Sequence, residues 1–141
     1  MRALLAKHGL SDRVHTESAG TGGWHGGEPP DARSAAEAGR RGIVMEGAAQ
    51  QVTPSDFADF DLLIAMDGEN ESALRRLAPD DAARAKVVRL REFDPEAVAA
   101  GDLDVPDPYY GGADGFRDVF DLVERACRGL LGEVTERLAA A

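Results

Sequence analysis

The sequence predicts an α/β fold, a three-layer sandwich with helices on both faces of a parallel sheet. Three observations predict it. Strand-like segments alternate with helical ones along the chain. Asp61-Leu62-Leu63-Ile64-Ala65-Met66 is a continuous apolar run, as in a strand covered on both faces. The chain closes on a long stretch from Asp114 to Ala140. There Phe116, Val119, Phe120, Val123, Cys127, Leu130, Leu131 and Val134 recur at helical spacing.

The elements follow in order. Met1 to Lys7 holds good helix formers and stops at Gly9, a favoured residue just past a helix end. Val14 to Ser18 alternates and is rich in β-formers, which predicts a short strand. Ala19 to Gly27 is a glycine-rich loop carrying Trp24. Pro29-Pro30-Asp31 opens a helix that runs to Arg41 and ends at Gly42. Thr53-Pro54-Ser55-Asp56 predicts a helix start, with Thr53 as N-cap, Pro54 at the first helical position and Asp56 near the positive end of the dipole. After the apolar strand comes a helix over Asp67 to Leu77, broken at Pro79-Asp80-Asp81. Lys86 to Leu90 is a third strand, and Phe93 to Gly112 a long loop with Pro95, Pro106 and Pro108. No repeat or linker divides residues 1–141, so one domain is expected.

Composition narrows the function. A hydrophobic content of 43% over 141 residues fits a chain that buries a core. The net charge of −10, from 26 acidic and 16 basic residues, argues against nucleic-acid and anionic-membrane partners, which need basic patches. It leaves room for a phosphorylated substrate, because phosphate sites are built locally from backbone N–H groups and one or two arginines. No apolar run is long enough to span a bilayer, and the Met1–Ala6 patch is too short for a signal peptide. A single cysteine excludes an internal disulfide framework and leads us to expect a reducing, cytoplasmic setting.

Few residues carry recognisable chemistry. In Asp107-Pro108-Tyr109-Tyr110-Gly111-Gly112, Pro108 fixes the turn and pushes Asp107 toward extended geometry. A carboxyl group held so can donate a proton to a leaving group, although Asp-Pro is also ordinary turn chemistry. Trp24 sits among Gly20, Gly22, Gly23, Gly26 and Gly27, either as a lid over the core or as a wall of a binding site. Cys127 shares a helix face with Val123, Leu130 and Leu131, the setting of a small buried hydrophobe rather than of a thiolate. His8, His15 and His25 show no metal-ligand spacing, and the glycine-rich loop has no Walker lysine. The residues therefore offer an acid without a nucleophile.

Three segments together resemble the low-molecular-weight protein-tyrosine phosphatase family, in its bacterial form. They are Glu17-Ser18-Ala19-Gly20-Thr21-Gly22-Gly23-Trp24 with Gly27-Glu28-Pro29-Pro30-Asp31, then Asp56-Phe57 through Asp61–Asp67 to Asn70, then Asp107–Gly112 with Gly115-Phe116 and the final helix. Their order and spacing match along essentially the whole chain. The resemblance implies a four-stranded parallel sheet and hydrolysis of phosphotyrosine through a phosphocysteine. It implies Asp107 as the general acid, Trp24, Tyr109 and Tyr110 as aromatic walls for the substrate ring, and Ser18 as a support for the phosphate loop. It implies no cofactor and no metal, and a tyrosine-phosphorylated protein or aryl phosphate as partner; it leaves the oligomeric state open.

The departures from that pattern set further expectations. The family's nucleophile lies in a C-x5-R loop, followed by Ser or Thr, between the first, central strand and the first helix. No such motif occurs in these 141 residues, whose first residues read as part of that helix. The domain is thus expected to be N-terminally incomplete, its own 141 residues to be inactive, and the remaining strands to expose unpaired edges. Several missing buried side chains, at ~1.5–3 kcal/mol each, weigh heavily against a total stability of ~5–15 kcal/mol. Where the family carries a His and an Arg, this chain has Gly47 and Gln50. That departure keeps a second reading open, a phosphoprotein-binding module without chemistry. A third, an arsenate reductase on the same fold, needs redox cysteines that Cys127 on a buried helix face does not supply.

Overall fold

The computed structural model describes residues 1–21, 32–43, 50–106 and 112–140, with only the backbone described at 112 and 113. Its helices are α1 (Arg2–Lys7), α2 (Ala32–Arg40), α3 (Asp56–Asp59), α4 (Gly68–Leu77), α5 (Asp81–Arg84), α6 (Pro95–Ala100) and α7 (Gly112–Ala140). Its strands are β1 (Leu63–Ala65) and β2 (Val87–Arg89), and a 3₁₀ turn spans Leu90–Phe93. The strands run parallel, with Leu63 opposite Val87, Ile64 opposite Val88 and Ala65 opposite Arg89. The predicted parallel α/β architecture is therefore observed.

Alternation along β1 builds the layers. Leu63 and Ala65 join Phe57, Leu74, Ala78, Ala83 and Val87 in one core, roofed by α3, α4 and α5. Leu62 and Ile64 face the other way, onto a second core of Leu90, Ala126, Cys127 and Leu130, with Leu4 of α1 and Val123 and Val134 of α7. Each fully covered Leu adds about 1.5–3 kcal/mol relative to exposure.

Local chemistry sets the element ends. Gly9 (φ +70°) and Gly42 (φ +74°) occupy the left-handed region that lets Leu10 return its N–H to Leu5 O and Ile43 its N–H to Ala38 O, both at 2.8 Å. Asp67 caps α4 by accepting from Asn70 N at 2.7 Å, and Asp80 caps α5 by accepting from Ala83 N at 2.8 Å. Lys86 Nζ donates to Phe57 O at 2.6 Å and Phe60 O at 3.1 Å, satisfying carbonyls at the end of α3.

Four expectations need correction. Val14–Ser18 is not a strand: pairing there reduces to one parallel bridge between Gly20 and Gln51. Strand preference expresses fit to a pleated, half-buried surface, and among the described residues no neighbour offers one at 14–18; Arg2 instead holds Thr16 through its hydroxyl (3.0 Å) and carbonyl (2.7 Å). The described sheet therefore has two strands, not three. The helix expected from Thr53 begins later, at Asp56 with Ser55 as N-cap, because Pro54-Ser55 forms a turn and Asp56 reaches back to accept from Thr53 N at 2.8 Å. The long loop from Phe93 holds helix α6: Asp94 accepts from Glu96 N at 3.1 Å, Pro95 fills the first turn, and Gly101 ends it.

Candidate active site

Asp107, Trp24, Tyr109, Tyr110 and Gly47 lie outside the described residues. The segments that lead to them are described, and they meet in two places.

The first is the strand-like crossing of 18–21 with 50–52. Gly20 N donates to Gln50 O at 2.8 Å and Val52 N to Gly20 O at 2.9 Å. The side chains repeat the stitch. Gln50 Nε2 donates to Ser18 O at 2.8 Å, and Gln51 Nε2 to Thr21 O at 3.4 Å. The structure thus brings Ser18 against Gln50. The bond uses the serine's carbonyl, and its side chain is exposed.

The second is the segment 102–106, which runs into Asp107. It crosses the carboxyl ends of both strands, where open α/β sheets bind ligands. Val105 N donates to Met66 O at 2.7 Å. Asp104 Oδ1 accepts from Gly68 N at 2.8 Å and from Arg89 Nη1 at 3.0 Å. Arg91 Nη1 donates to the Asp104 carbonyl at 2.7 Å and lies 3.2 Å from Asp102 Oδ2. Arg89 Nε is 2.7 Å from Glu71 Oε2, a charge contact that lacks hydrogen-bond alignment. Arg91 is 5% exposed, and its Nε has no hydrogen-bond partner.

Cys127 is placed as its helical phase predicts. It is 6% exposed among Leu90, Ala126 and Leu130. Burial pushes its thiol upward, with the terminal ammonium of Met1 only partly opposing this. A nucleophilic thiolate needs the reverse. A groove of about 280 Å³ lies between α1 and residues 11–16, lined by Arg2, Leu5, Ser11, Val14, His15 and Thr16; Ser18 is not among the described residues that line it. Among the described residues no cluster of His, Cys, Asp or Glu is placed to hold a metal, and no helix is long and apolar enough to cross a membrane.

Sequence reasoning missed Arg89, Arg91, Asp102 and Asp104. A faint signal existed: each pair is spaced two apart, so both members of each can face one way in extended chain. Arg91 and Asp104 stand 13 residues apart, too far for local pattern to join the two pairs.

The family model for low molecular weight phosphotyrosine protein phosphatase matches residues 1–140. A low molecular weight protein-tyrosine-phosphatase of Streptomyces coelicolor is 50% identical over 97% of this chain and 83% of its own length. The YfkJ phosphatase of Bacillus subtilis is 41% identical over 94% of this chain and 82% of its own. The crystal structure of YfkJ superposes with a TM-score of 0.87, covering 96% of this chain and 82% of that one at 38% identity. A protein tyrosine phosphatase of Entamoeba histolytica, crystallised with Hepes in its active site, gives a TM-score of 0.88 at 32% identity, covering 96% of this chain and 84% of that one.

Proposed function

The chain belongs to the low molecular weight phosphotyrosine protein phosphatase family, and from that premise we propose that it carries the acid and aromatic parts of a phosphotyrosine-hydrolysing site in one domain, residues 1–141. The observation that supports this most is the family match along residues 1–140, with Asp107-Pro108-Tyr109-Tyr110 inside it. Trp24, Tyr109 and Tyr110 wall the phenyl ring, and Ser18 supports the phosphate loop. A cysteine thiolate attacks phosphorus as the P–O(aryl) bond breaks, and Asp107 gives its proton to the departing phenolate. The Asp107 carboxylate then takes a proton from water as that water attacks the phosphocysteine, releasing phosphate and the thiolate. A tyrosine phenol has a pKa of about 10, so without the acid it leaves poorly.

The 141 residues contain no C-x5-R motif, and Cys127 is buried mid-helix. The nucleophile in this reading is supplied from outside them, and these residues by themselves turn over nothing. The test is hydrolysis of phenyl phosphate by the 141-residue chain and by its gene's longest in-frame product. The expected results are no rate for the first, and for the second a rate that Asp107→Asn lowers by about 10²-fold or more. Turnover by the 141-residue chain that depends on Asp107 would overturn the inactivity.

The binding-module reading draws on Gly47 and Gln50, and on Gln50 occupying itself with the Ser18 carbonyl. It predicts capture of a phosphotyrosine peptide by the longest in-frame product without release of phosphate.

A further inference from the structure

We propose that Gln50 is a positioning residue for Ser18, gripping residues 18–20 at two points so that the serine's side chain leaves the main chain in one direction; this rests on Ser18 acting as the support of the phosphate loop. Gln50 works with two groups. Its main-chain O accepts from Gly20 N at 2.8 Å, and its side-chain Nε2 donates to Ser18 O at 2.8 Å. The two held groups flank Ala19. Val52 N closes the crossing by donating to Gly20 O at 2.9 Å. On the other side of Ser18, Arg2 holds Thr16 by its hydroxyl at 3.0 Å and its carbonyl at 2.7 Å. The carbonyls of 16, 18 and 20 are thereby each taken by a donor from another part of the chain, Arg2, Gln50 and Val52.

Bonds rather than packing set this crossing. Ser18, Ala19, Gly20, Thr21, Gln50 and Gln51 are all exposed, so burial contributes little to holding them. The Ser18 carbonyl is attached to the same Cα as its side chain. Fixing that carbonyl, with Thr16 held behind it, sets where the Cα–Cβ bond points and leaves χ1, with its three staggered wells, as the remaining freedom. The grip takes the main chain and leaves the serine's side chain exposed. A bond of this kind shifts an equilibrium by about tenfold at most, which bounds what its loss can do.

The experiment is Gln50→Glu, which keeps the length of the side chain and turns its donor into an acceptor. In the 141-residue chain, amide exchange at Gly20 and Val52 is expected to quicken about fivefold, with Ala65 and Leu130 unchanged. Unchanged exchange at Gly20 and Val52, or the same acceleration everywhere, overturns the grip. In the gene's longest in-frame product, kcat/KM for phenyl phosphate is expected to fall about fivefold, within the reach of one such bond. The decisive arm repeats the substitution in a Ser18→Ala background. There it is expected to cost under about twofold, because a residue that acts through the serine has nothing left to aim. Equal losses in the two backgrounds mark a merely structural role and overturn the proposal. If Ser18→Ala by itself leaves the rate untouched, or the longest product turns over nothing, the reading of the site fails and takes the positioning role with it. Exchange at Gly20 and Val52 separates that failure from a failure of the grip.

Discussion

Arg41 and Arg91 are both largely covered cations, and they hold the molecule together by different means. Arg41, 19% exposed in its side chain, reaches three carboxylates: Glu37 at 3.0 Å, Asp121 at 2.9 Å and Glu124 at 3.4 Å. It also lies 5.1 Å from the centre of the Phe120 ring. Burial works against its charge, and Asp121, Glu37 and Glu124 more than offset that, so its pKa is raised. It ties α2 to α7 mainly by charge, its bond from Nη2 to the Arg117 main-chain carbonyl being a long one at 3.3 Å. Arg91 meets one exposed carboxylate and a carbonyl, on an element seated against α7 by contact at close range. A charge hub tolerates small shifts of its helices, whereas a bond to a carbonyl specifies where a chain runs.

The sharpest way to break this contrast is at Gly129 of α7. A Cβ there would stand 1.8 Å from Phe93 O and 2.8 Å from Phe93 C, both backbone. Gly129→Ala must push the 3₁₀ turn carrying Arg91 off α7. Urea unfolding is expected to show a loss of about 3 kcal/mol, the upper end of what overpacking costs. A loss below about 1 kcal/mol would mean the turn is not packed as described.

Next in size is Arg41→Ala, expected to cost about 2 kcal/mol at low salt because Asp121 and Glu124 lose this cation and Glu37 keeps only Arg40. Much of that cost should vanish in molar salt, where exposed charges are screened. Arg41→Lys should recover less than half, since an ammonium cannot fork between α2 and α7. A salt-independent cost would show that packing, not charge, makes the tie.

The smallest effect is in pH. Hydrogen bonding by Arg40, opposed by burial and aided by Arg41, lowers the Glu37 pKa from its ordinary 4.5. A depressed folded-state pKa gives stability that is present above 4.5 and lost as pH falls through the lower, folded value. Urea midpoints of the parent and of Glu37→Gln should therefore differ at pH 7 and converge as pH drops below 4.5. Parallel curves down to acid unfolding would exclude Glu37 as a contributor.

What the sequence made legible was local or periodic. The α7 stripe placed Cys127 in the core, and Asp67, Gly9 and Gly42 set ends where expected. The β1 run foretold two covered faces, although only three of its residues form the ladder. Val14–Ser18 failed because a strand is a property of pairs, and its preference says nothing about a neighbour. Helix α6 has its signal in Asp94-Pro95-Glu96 with Gly101, but at six residues it is short, and Pro106 and Pro108 further on give the whole stretch the composition of a loop. The four-point hold on Asp104 and Val105 was not legible, because its partners come from 66, 68, 89 and 91. Of the candidate site, Asp107 and Trp24 stood out in the sequence itself, the roles and the choice of Ser18, Tyr109 and Tyr110 came from the family resemblance, and the geometry near Ser18 came only from the structure.

The alternation of Leu62, Leu63, Ile64 and Ala65 between two cores has one more consequence. A ladder of three residues has little grip of its own on which partner it takes. If β1 slid one step along β2, every side chain would change rooms. Slid one way, Ile64 would have to enter the space shaped for Ala65; slid the other way, Ala65 would leave a void where Ile64 stood. The size difference between these two neighbours is a notch that admits one alignment. The strand ends that receive Asp104 and Val105 are in that sense set by the few carbons that separate an isoleucine from an alanine.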